Sequence, residues 1–211
     1  MNYKTIEGSA EDRFIEKKSE FIGYLRHTET EQEALDFIAE IRAMHRKATH
    51  NCYAYILRDN NLSRHSDDGE PGGTAGVPIY EVLRKEGLTD VTCVVTRYFG
   101  GVLLGAGGLV RAYTKAAKIA CDAAETLDMR SAAKLVLTLA YPYYGKIGKT
   151  LESFDVRVES EDFGADIVIT LYIPVESKDT FTKELIDVCG GSISVKSEAE
   201  TEYNFGKNAE N

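Results

Sequence analysis

Apolar residues recur along this chain in two rhythms, and the change between them falls near Arg130. In the first, Phe21-Ile22-Gly23-Tyr24-Leu25 reads as a strand, with the charged segment before it as a pairing partner. Thr30-Glu31-Gln32-Glu33 has the spacing of a capping box, and Ala34, Phe37, Ile38, Ile41 and Met44 follow at helical intervals. Residues 52–57 predict a strand and 58–76 a long polar loop; Pro78 suits the first turn of a helix ending near Gly87. A β-rich run at 91–98 leads through glycines into an alanine-rich helix over 109–125. Val110, Tyr113, Ala117, Ala120 and Ala124 form its expected buried stripe.

The second rhythm predicts a strand at 134–141, a helix at 143–154, strands at 156–161 and 165–173, a helix at 178–188 and a strand at 192–197. The order β-α-β-β-α-β is ferredoxin-like. The expectation is an α+β protein of two domains, 1–129 and 130–200, with an exposed boundary near Met129. From Glu198 the chain turns polar, which predicts a loosely ordered end and a polar tail at 201–211.

Composition narrows the classes. The apolar share of 43% and charged share of 28% are those of an ordinary globule. No apolar run approaches the ~20 residues that span a bilayer, and Met1-Asn2-Tyr3-Lys4 runs directly into mixed polar sequence, so neither membrane span nor signal peptide is expected. Four widely spaced cysteines, Cys52, Cys93, Cys121 and Cys189, read as buried free thiols in a reducing cytoplasm. The net charge of −9 argues against indiscriminate nucleic-acid binding. Yet between Val91 and Cys121 lie Arg97, Arg111, Lys115 and Lys118 and no acid. The last three share one helical stripe.

Two blocks concentrate the remaining information. One covers residues 66–76 and contains Asp67-Asp68-Gly69-Glu70-Pro71 and Gly73-Thr74-Ala75-Gly76. The other runs from Arg97-Tyr98-Phe99-Gly100-Gly101 through Gly105-Ala106-Gly107-Gly108 to Arg111, and together they hold half of the 18 glycines. Each leads into a helix, whose N-terminal N–H groups suit anions. The dinucleotide fingerprint fails because position 110 is Val110, and a phosphate-binding P-loop fails because Ala106 follows Gly105. What remains is either close packing through small residues or a phosphate or RNA contact made by the glycine loop with Arg97, Arg111 and Lys115.

Asp67, Asp68 and Glu70 match no calcium-loop spacing; capping of the following turns by Asp68 and Glu70, with hydrogen bonds to the glycine loop, is favoured over metal, and neither metal nor cofactor is expected. His45 and His50, in Met44-His45-Arg46-Lys47-Ala48-Thr49-His50-Asn51-Cys52, have the titration range of acid–base groups, but His45 equally suits a helix C-cap. No nucleophile elbow is present.

Taken together, His45, residues 48–52, 67–71 and 73–76, Pro78 and 97–109 resemble the signature of the Impact/YigZ family in its two-domain bacterial form. The resemblance implies an N-terminal domain similar to ribosomal protein S5 domain 2 and a ferredoxin-like C-terminal domain similar to those of elongation factor G. The family's eukaryotic member regulates translation by binding the activator of a stress-response eIF2α kinase, a pathway bacteria lack. What carries over is a translation-linked binding function around the matched positions. They are His45, His50, Asn51, Asp67, Asp68, Glu70, Thr74, Arg97, Tyr98, Gly100, Gly101, Gly105, Gly107, Gly108 and Arg111, with Lys115 added from the basic stripe. The expected partner is RNA, the ribosome or a translation factor. The alternatives are an enzyme acting on a small or nucleotide-like substrate at a His/Asp site, or a purely protein-binding regulator.

Overall fold

A computed structural model describes residues 2–206. They divide into two compact units, Tyr3–Leu127 and one from Asp128 onward. The first contains β1 (Tyr3–Ile6), β2 (Ser9–Glu16), β3 (Ser19–His27), α1 (Glu31–Met44), β4 (His50–Leu57), β5 (Leu62–Ser66), α2 (Gly76–Glu86), β6 (Val91–Tyr98) and α3 (Ala106–Ala123). An antiparallel sheet in the order β2-β3-β6-β4-β5 carries α1 on one face and α2 with α3 on the other.

Period-two alternation sorts the side chains between these faces. Phe21, Leu25, Cys93 and Val95 join the core under α2 and α3, while Ile22, Tyr24 and Val94 meet α1. With both faces covered, β6 reads as an almost unbroken apolar run. Gly23 lets α3 lie close to the sheet: a Cβ there would stand 2.3 Å from the Ala116 carbonyl oxygen. Thr30 caps α1 by accepting from the Glu33 N–H at 3.2 Å, and Glu33 reaches back to the Glu29 N–H. Gly87, at φ 70°, ends α2.

Two sequence expectations are corrected here. The polar stretch 58–76 contains β5, because Asn60 and Asn61 adopt left-handed φ and turn the chain back along β4. As an edge strand with one wet side, β5 lacks an apolar signature. Val110 is 37% exposed, and the buried stripe of α3 is Leu109, Ala112, Tyr113, Ala116, Ala117 and Ala120. Residue 110 lies just off that stripe.

The second unit holds most of β7 (Thr126–Leu139), then α4 (Tyr141–Ser153), β8 (Arg157–Phe163), β9 (Ile167–Pro174), α5 (Lys178–Val188) and β10 (Ile193–Asn204). Strand order β10-β7-β9-β8, all antiparallel, with Ile147, Phe181 and Leu185 packed on the sheet from the helices, is the ferredoxin-like arrangement. Asp128 lies inside β7, so the chain passes between units within a strand rather than through a linker.

The expected loose end is also corrected. Strand β10 continues to Asn204, opposite Met129; Tyr203 stacks on Tyr172 with centroids 4.1 Å apart, and Phe205 is buried. The two rings, alternating with polar neighbours, turn one face of this segment toward the sheet. Residues 207–211 of the predicted tail lie outside the described residues. All four cysteines are free and buried. No helix among the described residues is long and apolar enough to cross a membrane.

Candidate functional site

The acidic loop between β5 and α2 is a capping device. Asp67 Oδ1 accepts from the Ala75 and Gly76 N–H groups at 2.9 and 2.8 Å, and Oδ2 from Gly73 at 2.8 Å. No residue adjoining α2 offers a side-chain cap, and the capping carboxylate is Asp67 rather than the expected Asp68 or Glu70, which are turned to other partners. Partial burial works against its ionised form, but the three N–H groups prevail and hold its pKa below the usual carboxylate range. Asp68, at φ 45°, accepts from Arg42 Nη2 and the Asn51 N–H, both at 2.7 Å. His50 donates from Nδ1 to the Asp68 carbonyl at 2.8 Å. Thr74 donates its hydroxyl to the Pro71 carbonyl, and Asn51 Oδ1 accepts from Thr96 Oγ1.

Glu70 continues this network inward. Its Oε1 accepts from Arg97 Nη1 at 2.6 Å and Tyr113 OH at 2.8 Å, with His50 Nε2 at 3.8 Å. Burial pushes the Tyr113 hydroxyl far above its ordinary pKa and the neighbouring Cys52 thiol up to about 12. Arg97 is therefore a buried, neutralised structural cation and does not join the surface stripe of α3. His45 forms a second cluster: Nε2 lies 2.7 Å from Tyr24 OH and Nδ1 2.8 Å from Tyr98 OH. This ties the end of α1 to β3 and β6.

The glycine loop after β6 lies over the β2–β3 turn. Gly100 donates its N–H to Ser19 Oγ at 3.2 Å, and a Cβ at Gly100 would stand 1.9 Å from the Lys18 carbonyl oxygen. Gly101 and Gly105 hold positive φ, and Gly108 gives room to Leu104. The first turn of α3 has neither a side-chain cap nor an acid. Arg111 folds back over it, with Nη1 3.7 Å from where a Gly107 Cβ would sit.

Beside that turn is an open pocket of 210 Å³ lined by Phe14, Glu16, Lys17, Leu104, Gly108, Arg111, Ala112 and Lys115. Arg111, Lys115 and Lys17 are exposed and make no ion pair among the described residues, whereas Lys118 is engaged by Glu86 and Asp122. Lys115 Nζ lies 4.3 Å from the Phe14 ring centroid. The sequence points to none of Lys17, Phe14 and Ser19, and gives Tyr113 a place only in the buried stripe of α3. A tyrosine inside an alanine stripe was the available signal for the last, because a buried hydroxyl needs a partner.

Thus the matched positions separate into an internal bracing network and an exposed cationic rim. The fold and this bracing define a two-unit α+β protein whose first sheet carries two glycine-bearing loops. A family profile described as the Impact N-terminal domain matches residues 17–121, and one described as a domain of unknown function, DUF1949, matches 137–192. The IMPACT family member YvyE of Bacillus subtilis is 36% identical over 203 residues, covering 96% of this chain and 93% of its own. The IMPACT family member YigZ of Escherichia coli is 34% identical over 182 residues, covering 85% and 89% respectively. A crystal structure of a hypothetical protein is 31% identical, with a TM-score of 0.59, covering 94% of this chain and 98% of that one. The chain belongs to the IMPACT family.

Proposed function

We propose that this protein is a translation-associated regulator that holds RNA phosphates on the surface formed by the β2–β3 turn, the glycine loop and the first turns of α3. Family membership supports a translation-related regulatory role at the level of the family. The observation that carries the RNA reading is the grouping of Lys17, Arg111 and Lys115 around one open pocket at an uncapped helix N-terminus. Free N–H groups and unpaired cations together favour an oxyanion. The carboxylates of the acidic loop, on which the alternative His/Asp site depends, are already committed: Asp67 to the start of α2, Asp68 to Arg42 and Asn51, Glu70 to Arg97 and Tyr113.

The test is the double variant Arg111→Gln/Lys115→Gln, assayed for association with RNA and ribosomes across a salt series. Both side chains are exposed, so stability is expected to change by no more than about 0.5 kcal/mol each. Binding should weaken, and the log–log salt slope should fall by roughly one unit per lost phosphate contact. Unchanged affinity and slope would remove RNA from this surface. Capture from lysate with and without ribonuclease then separates RNA-mediated from direct protein association.

A further inference from the structure

The loop that borders the cationic pocket is apolar at its tip. Phe99 is 45% exposed, Val102 38% and Leu103 82%. The tip is held out on a fixed base. Phe99 donates its N–H to Thr49 Oγ1 at 3.1 Å, Gly100 is seated on Ser19 and Lys18, and Leu104 lines the pocket beside Arg111 and Lys115. On this surface Lys115 lies over the Phe14 ring, and beneath the loop the buried Arg97 guanidinium stands 5.4 Å from the Phe99 ring centroid.

Resting on the RNA reading above, we infer that the occupant is unpaired rather than duplex RNA. Its phosphates lie along Lys17, Arg111 and Lys115, and a base packs on Phe99 with Leu103 at its edge. A duplex keeps its base faces stacked inside and offers this tip only phosphate and sugar, leaving the exposed ring and leucine without an apolar counterpart. A single strand presents charge and flat apolar faces together, which is what an aromatic side chain beside cations accepts. A peptide does the same only with an aromatic residue set beside its acids, whereas every nucleotide of a single strand carries both.

The experiment measures fluorescence anisotropy of the full chain with labelled single-stranded oligouridylate, and with a duplex of equal length, at matched salt. The proteins are the parent, Phe99→Ser and Leu103→Ser; thermal melts confirm that each variant is folded. The parent should prefer the single strand. Phe99→Ser should weaken that binding at least about fivefold while leaving the salt slope unchanged, because stacking is lost and phosphate contacts are kept. Leu103→Ser should change it in the same direction by less. Equal affinity for both RNAs, with Phe99→Ser neutral, overturns the inference and leaves the RNA reading standing. Binding of neither RNA overturns that reading and the inference with it. Competition by polyglutamate as effective as that of unlabelled oligouridylate overturns the inference in favour of a protein partner.

Discussion

Glu70 and Arg97, separated by 27 positions in sequence, meet in a buried ion pair with Oε1 2.6 Å from Nη1. Through Tyr113, the same carboxylate oxygen also reaches α3. One side chain thus connects the acidic loop, the last strand before the glycine loop and the helix after it. The exposed loop and the cations of α3 are presented by a base whose geometry is set inside the protein.

Removing one member of this pair should be far more damaging than removing both. Glu70→Ala strands a buried guanidinium and the Tyr113 hydroxyl, and is expected to cost about 3–5 kcal/mol in urea unfolding. Replacing both charges and the hydroxyl that Glu70 satisfies, as Glu70→Leu, Arg97→Met and Tyr113→Phe, should recover most of that loss. A single variant within about 0.5 kcal/mol of the parent would show that the pair is not the brace described.

The Asp67 cap gives acid sensitivity with a defined sign. Its folded pKa lies below its unfolded value, so its contribution is present above the ordinary carboxylate range and is lost as pH falls through the folded value. Asp67→Asn should cost about 1–2 kcal/mol at neutral pH, in the range of lost helix caps. Below about pH 4 the difference between parent and variant should shrink. A constant difference down to acid pH would contradict the assignment.

His45 shows the same direction for a base. Burial lowers its pKa below 6.5, although Glu11 and Glu20 oppose the shift. The imidazole is neutral between its two tyrosines at pH 7. The stability it confers is full above the unfolded pKa and is lost as pH falls toward the folded one, where the imidazole must charge. An NMR titration should find its midpoint below that of a free imidazole. His45→Phe should remove this part of the pH dependence.

Elements with two buried faces or a helical stripe are legible in the sequence, as are the capping box at Thr30 and the β-α-β-β-α-β order. Strand β5 and the end of β10 are not, because an edge strand with one wet side carries only half the periodic signal. The site separates in the same way. Glycine content and the cations of α3 are local properties, visible at Gly105, Gly107, Arg111 and Lys115. Partnership is not local. Arg97 stands in an acid-free stretch of sequence, yet the fold places Glu70 against it. Asp68 reads in sequence as a cap for the turns that follow it, whereas the fold gives its carboxylate to Arg42 and the Asn51 N–H. Lys17 joined the cationic rim only once the β2–β3 turn was folded beneath the glycine loop.

The end of β10 provides a direct test of that lesson. Phe205 is 3% exposed, with the guanidinium carbons of Arg130 and Arg157 each 5.5 Å from its ring centroid. Its carbonyl accepts from Arg157 Nη2 at 2.6 Å and its N–H donates to the Asp128 carbonyl at 2.8 Å. A polar, loosely held end would tolerate any substitution here. A strand locked to β7 would not: Phe205→Ala deletes a buried ring and should destabilise by about 3–5 kcal/mol. It should also expose the amides of 200–204 to faster hydrogen exchange, because their pairing with 129–133 depends on the anchor. The exchange measurement matters most. Loss of stability without faster exchange at 200–204 would place the role of Phe205 in its packing with Arg130 and Arg157, and not in holding β10 to the sheet.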